Sequence, residues 1–296
     1  MPEMNREGKE ERRMPEEKTR RKTQSERSGT KGVLVIIGGA EDKKGDSVIL
    51  QEAPRLLEPD GVLTVLTTAT EQPEEAGRAY EEVFRRLGVS RVRVLNISTR
   101  EEAARGVNCE AIRASGCVFL TGGDQLRLTS ILGGTPAAAA LLELYGSGGS
   151  VMGTSAGASV MSSTMVVQGN DNEPARKCTL KMAPGLGLFE GAIIDQHFDQ
   201  RGRFGRLLCG VAENPGVLGI GIDEDTAVKL YPDRHFEVLG SGAVTVLDGL
   251  SIESSNVSEL KPDELLAIVG VTVHTLPFGY GFDLNERRVL RLKSNG

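Results

Sequence analysis

The sequence predicts an α/β fold: a doubly wound, mostly parallel sheet with helices on both faces and extra short strands toward the C-terminus. Two observations predict it. Unbroken apolar runs of four to eight residues recur along the chain, and such runs are strands buried on both faces, as parallel strands are. Between them lie stretches with helical spacing, and that alternation winds a sheet with helices on each side. A chain of 296 residues with 39% hydrophobic and 26% charged content has the length and composition of a globular protein with a substantial core.

Residues 1–31 read as a charged tail, and residues 32–296 as a single α/β domain. The tail holds ten Lys/Arg and seven Asp/Glu with almost no apolar side chains. It cannot bury enough surface to offset its ordering entropy, so disorder is expected. A tether for an acidic partner is the alternative. Order begins at Gly32–Gly39, an apolar run closed by glycines. Val62–Thr67 is the next strand, with a turn at Gln72-Pro73 behind it. Glu74–Leu87 carries Ala76, Ala79, Tyr80, Val83, Phe84 and Leu87 on one helical stripe. Arg91–Leu95 reads as a strand, Glu101–Ala114 as a helix and Cys117–Leu120 as a strand. From about Ala227 the pattern changes: Val228–Leu230, Phe236–Leu239, Ala243–Leu247 and Ala267–Val273 read as short strands. They form either antiparallel additions to the sheet or a small lid. Ligands of such folds sit at the carboxyl ends of the strands, so chemistry is sought just after apolar runs.

Composition removes several function classes. A net charge of −6 and the absence of tryptophan disfavour nucleic acid. No apolar stretch reaches the length of a membrane span, and the N-terminus has no secretory apolar core. Cys109, Cys117, Cys178 and Cys209 form no C-x-x-C pair, so no zinc site is expected, and scattered thiols fit a reducing cytosol. Gly38-Gly39-Ala40-Glu41-Asp42 lacks the G-x-G-x-x-G of a dinucleotide loop.

Gly153-Thr154-Ser155-Ala156-Gly157 matches G-x-S-x-G. In that motif a strand turns sharply into a helix and exposes a serine in strained geometry, with glycines giving room for close approach. Ser150-Val151-Met152 suits the strand and Ala158–Met161 the helix. The Ala156 N–H then points where an oxyanion would form. A glycine-rich structural turn is the competing reading of the motif alone. A serine nucleophile needs a base. Of His197, His235 and His274, only His197 ends an apolar run, Ala192–Phe198. Two acids compete to orient it: Asp195, two residues away, and Glu224, in the acidic turn Asp223-Glu224-Asp225 after Val217–Ile222. The order Ser, His, acid differs from that of the α/β-hydrolases. Thr121-Gly122-Gly123-Asp124-Gln125 follows a strand, and a glycine pair there either supplies a second oxyanion donor or makes a tight turn. Arg201, Arg203 and Arg206 suit a carboxylate, and Asp195 suits a cation.

These segments together resemble the cyanophycinase family, grouped with the aspartyl dipeptidases: Ile36–Asp42 (IIGGAED), Thr121–Leu128 (TGGDQLRL), Gly153–Ala158 (GTSAGA), Asp195–Phe198 (DQHF), Arg201–Leu208 (RGRFGRLL) and Gly219–Thr226 (GIGIDEDT). The resemblance runs from about Gly32 to Leu292. It implies a flavodoxin-like core and a serine peptidase acting on cyanophycin, a polyaspartate with arginine on each side-chain carboxylate, releasing β-aspartyl-arginine. It implies the triad Ser155, His197 and Glu224, which selects Glu224 over Asp195. Ala156 and Gly123 become the oxyanion donors. Gln125, Asp195, Gln196, Arg201, Arg203 and Arg206 become pocket residues. No metal or organic cofactor is implied, and a cytoplasmic homodimer is. The stretch Gln168–Lys181 matches more loosely. An aspartyl dipeptidase is the nearest rival. A non-catalytic binding protein on the same scaffold would lack a triad member, and an amidotransferase would need cysteine where Ser155 stands.

Overall fold

The computed structural model describes residues 31–177 and 180–292. The expected disordered tail, apart from Lys31, and Cys178 lie outside the described residues.

The first five strands are β1 (Leu34–Ile37), β2 (Val62–Leu66), β3 (Arg91–Leu95), β4 (Cys117–Leu120) and β5 (Ser150–Thr154). They pair in parallel in the order β1-β5-β4-β2-β3. All except the edge strand β3 are buried along their whole length, as unbroken apolar runs require. The helices are α1 (Glu52–Leu56), α2 (Pro73–Arg86), α3 (Arg100–Ala104), α4 (Gly106–Arg113), α5 (Gln125–Leu132), α6 (Pro136–Gly146) and the single turn α7 (Ala156–Ser159). Strand alternation divides the core. Val35, Ile37, Leu63, Val65 and Phe119 pack with Ala53 of α1 and Tyr80, Val83 and Phe84 of α2. Leu34, Ile36, Val118 and Leu120 pack with α3 to α7 on the other face.

The helix expected over Glu101–Ala114 is two. Arg105 is extended, with φ −69° and ψ 126°, and separates α3 from α4. Ala103 and Ile112 both enter the core. Nine residues apart, they would lie about two and a half turns from each other in one helix and face opposite ways. The break lets both be buried.

After α7 come the hairpin strands β6 (Thr164–Gly169) and β7 (Leu180–Pro184), then β8 (Ala192–Gln196), α8 (Phe204–Glu213) and β9 (Leu218–Ile222). The last strands are β10 (Thr226–Leu230), β11 (His235–Gly240), β12 (Ala243–Asp248), β13 (Ser254–Ser255), β14 (Ile268–Val269), β15 (Thr272–Pro277), β16 (Tyr280–Asp283) and β17 (Arg288–Arg291). β10 pairs antiparallel with the free side of β1, and β11, β16 and β17 continue outward, completing a nine-stranded sheet. β8 and β9 belong to a second sheet, parallel to each other and extended antiparallel by β12 and β15. The C-terminal strands are thus mostly sheet additions: β10, β11, β16 and β17 join the first sheet, β12 and β15 the second, and β13 and β14 pair with each other in a small ribbon. The run Ala267–Val273 is split at Gly270, whose φ of +87° ends one strand before the next begins.

The second sheet lies on the α3–α7 side: Ile194, Ile220, Val244, Val246 and Leu276 join that core. Its outer face, with Ile193 and Leu247, is covered by Leu207 and Val211 of α8. The two sheets meet where the loop after β1 receives both. Gly38 O accepts the His197 N–H and Gly39 O accepts the Asp225 N–H, each at 2.8 Å. The Ser155 N–H bonds Ile37 O at 3.0 Å.

Candidate active site

Ser155 sits between β5 and α7 at φ 51° and ψ −111°, a conformation costly for a residue with a side chain. Its neighbours leave no space: a Cβ on Gly153 would lie 2.5 Å from Gly157 O, and one on Gly157 2.3 Å from Leu120 O. The residue before the serine is tied down from below. Thr154 Oγ1 donates to Glu41 Oε2 at 2.5 Å, and Tyr80 Oη donates to Glu41 Oε1 at 2.6 Å. Lys43 Nζ lies 3.0 Å from the same carboxylate, which is only 4% exposed. Burial pushes the Tyr80 phenol up, so it remains a donor. Sequence reasoning did not single out Glu41 as a site residue. The available signal was an acid two residues beyond a glycine-closed strand.

His197 follows β8 at φ 48°. Its Nε2 is 3.1 Å from Ser155 Oγ, and its Nδ1 is 2.6 Å from Glu224 Oε1. A carboxylate facing Nδ1 accepts its N–H, leaving the Nε2 lone pair to face the serine hydroxyl. The left-handed turn takes His197 off the strand's alternation, so it parts from Asp195. Glu224 is drawn in by its neighbours. Asp223 accepts the N–H groups of Asp199 and Ala243, and Asp225 accepts the N–H of Asp42 and the hydroxyl of Ser241. The Glu224 N–H itself bonds Gln200 Oε1 at 2.9 Å. The acidic triplet is thus a set of anchors. Gly39, at φ +104°, lies under the imidazole, and a Cβ there would come within 2.3 Å of His197 Cε1. His235 pairs with Asp233 and stacks on Tyr231, and His274 packs beside Phe282.

The other expected site residues divide into two groups. Asp195, Arg203 and Arg206 are 1%, 5% and 6% exposed. Arg206 grips both oxygens of Asp195 through Nε and Nη2. Arg203 donates to Gln196 O at 2.5 Å and lies 3.5 Å from Asp195 Oδ1. Burial draws the Arg203 guanidinium's pKa down from its usual value, and the Asp195 charge opposes this. Asp195 and these two arginines, expected to meet the charges of a substrate, satisfy one another in this structure. Both arginines also reach Asp171, a residue from the loosely matching stretch that sequence reasoning did not single out.

The second group remains open. Arg201 is exposed, and its guanidinium has no partner among the described residues. Gln196 Oε1 is buried and without a hydrogen bond among the described residues. Gln125 donates its amide to Val166 O and Val167 O. Gly122 adjoins the nucleophile, its Cβ position 3.5 Å from Ser155 Cβ, and Gly123 follows at φ +144°. The N–H of Ala156 opens α7, where helix geometry provides no acceptor. A cleft of about 870 Å³ is lined in part by Ser98, Asp124, Arg127 and Pro184, and none of Ser155, His197, Glu224 or the expected pocket residues lines it. Among the described residues there is no cluster of metal-binding side chains, and no helix long and apolar enough to cross a membrane.

Peptidase family S51 matches residues 35–238. A cyanophycinase of Synechococcus elongatus is 35% identical over 270 residues, 90% of this chain and 84% of that one. One of Trichormus variabilis is 37% identical, covering 88% of each. One of Geminocystis herdmanii is 34% identical, covering 86% of this chain and 93% of that one. Among solved structures, a peptidase from an acI-B1 actinobacterium superposes with a TM-score of 0.65 at 22% identity, covering 87% of this chain and 98% of the other. That likeness agrees in fold with the architecture above.

Proposed function

The chain belongs to peptidase family S51 and is a serine peptidase, and from that premise we propose that it hydrolyses the polyaspartate backbone of cyanophycin through Ser155, His197 and Glu224, releasing β-aspartyl-arginine. The observation that carries this reading is the unbroken relay from Ser155 Oγ to His197 Nε2 and from His197 Nδ1 to Glu224 Oε1. The names of the relatives supply the substrate.

Each group has a role in acyl transfer. Ser155 Oγ attacks the scissile carbonyl as His197 Nε2 takes its proton. The carbonyl oxygen becomes an oxyanion held by the Ala156 and Gly123 N–H groups. Glu224 stabilises the imidazolium formed and fixes its orientation. His197 then protonates the leaving amine. A water, deprotonated by the same imidazole, attacks the acyl-serine and frees the product. Gln125, Gln196 and Arg201 line the pocket. Asp195, Arg203 and Arg206 form the frame that holds Gln196 and, through it, the start of the His197 turn.

The test is to incubate insoluble cyanophycin with the protein and with its Ser155→Ala variant, and to analyse the soluble products by mass spectrometry. Release of β-aspartyl-arginine by the unaltered protein alone supports substrate, bond and nucleophile together. A folded protein that releases nothing removes the substrate, and short aspartyl peptides are then the alternative.

A further inference from the structure

The buried frame beside His197 carries two positive and two negative side chains: Arg203, Arg206, Asp195 and Asp171. Asp195 has both oxygens engaged by Arg206 and almost no exposed surface. It has no room for a cation from outside. Asp171 differs. Its Oδ1 is shared by Arg203 Nε at 2.9 Å and Arg206 Nη1 at 3.2 Å. Its Oδ2 has no partner among the described residues, and its side chain is 38% exposed. It is the one member of the frame that reaches solvent.

Asp171 is also tied to the segment that follows His197. The next residue, Asn172, adopts φ 56° and donates its N–H to Arg201 O and Gly202 O, both at 3.2 Å. The Arg201 N–H in turn bonds His197 O at 3.2 Å. Main-chain bonds therefore hold Arg201 next to the residue that follows Asp171, on the segment that leads out of the catalytic turn. Two buried arginines engage only Oδ1 of Asp171, so its Oδ2 is left to accept a charge-assisted hydrogen bond.

We propose that Asp171 selects a guanidinium on the substrate, accepting its N–H groups at Oδ2 while Arg201 faces the neighbouring carboxylate. This rests on the proposed substrate, whose side chains each carry a guanidinium and a carboxylate close together. It places cation recognition on the β6–β7 hairpin loop rather than on Asp195.

The test compares cyanophycin with the same polymer after conversion of its arginines to citrulline, which keeps the shape and removes the charge. The expected preference of the unaltered protein for the arginine polymer is roughly 10–100-fold in kcat/KM, the size of a charge-assisted hydrogen bond. Asp171→Asn brings that ratio close to one, and Asp171→Glu restores part of it. An equal loss on both polymers, with the ratio kept, makes Asp171 structural and overturns the proposal, as does an unchanged ratio with full activity. Should the unaltered protein cleave neither polymer, calorimetric titration of Ser155→Ala with β-aspartyl-arginine and with β-aspartyl-citrulline separates the two claims. Tighter binding of the arginine dipeptide, lost with Asp171→Asn, upholds Asp171 while the polymer reading falls. Equal binding of the two dipeptides overturns it.

Discussion

The nine-stranded and four-stranded sheets bring unlike parts to one site. The first supplies Ser155 from a turn whose strained residue and flanking glycines lie within five consecutive residues, Gly153–Gly157. The second supplies His197 and Glu224 from the ends of two parallel strands, 27 residues apart in the chain. Their positions depend on main-chain bonds to Gly38 and Gly39, which belong to the first sheet. A strained nucleophile can be written locally. A base and its orienting acid are correct only when two sheets dock.

The comparison can be broken from either side. The largest loss is expected at the nucleophile: Ser155→Ala should lower kcat by about 10⁵–10⁶-fold with an unchanged thermal midpoint, read by peptide release and calorimetry. On the second sheet, Glu224→Gln keeps the shape and removes the charge opposite the imidazolium, and kcat should fall about 10³–10⁴-fold. The joint itself is probed by Gly39→Ala. A methyl group at 2.3 Å from His197 Cε1 must displace the imidazole. A misplacement of that kind costs on the order of 10²-fold in kcat, with the serine still in place. Full activity in that variant would mean the seat is not required.

The smallest effect concerns the loop after β1. Asp42 accepts the N–H groups of Lys44, Gly45 and Ser47, and these bonds lower its pKa from 3.8 to about 2. A group whose folded pKa is depressed adds stability above its unfolded pKa and loses it as the pH falls through the folded one. The difference in thermal midpoint between the unaltered protein and Asp42→Asn should therefore be steady above pH 3.8 and vanish toward pH 2. A difference that persists below that range would assign the effect to something other than the carboxylate's charge.

Much of this was legible because it is local. β3 and β4 appear at the bounds their apolar runs suggest, and α2 buries Tyr80, Val83 and Phe84 of the stripe read from its spacing, while Ala79 is exposed and Gly77 takes a buried place instead. The elbow was visible as a motif with a strand before it. The pairing of Glu224 rather than Asp195 with His197 was not visible from spacing. Two residues apart on a strand, Asp195 and His197 should share a face, but the left-handed φ of His197 breaks the alternation. The sign of a charge was legible, while its partner was not: Asp195, Arg203 and Arg206 were read as facing a substrate and instead face one another. Asp171 and Glu41 were overlooked for the same reason, since each acts through residues distant in the chain.

The central claim is that docking of the two sheets activates Ser155. It is tested most directly by labelling with a fluorophosphonate, which reacts only with a serine whose base is in place. Intact-mass spectrometry of the unaltered protein, Ser155→Ala, His197→Ala and Gly39→Ala reads the outcome. The account predicts one adduct on Ser155 in the unaltered protein, none in the first two variants and slow labelling in the third. Labelling at full rate without His197, or on a residue other than Ser155, would contradict it.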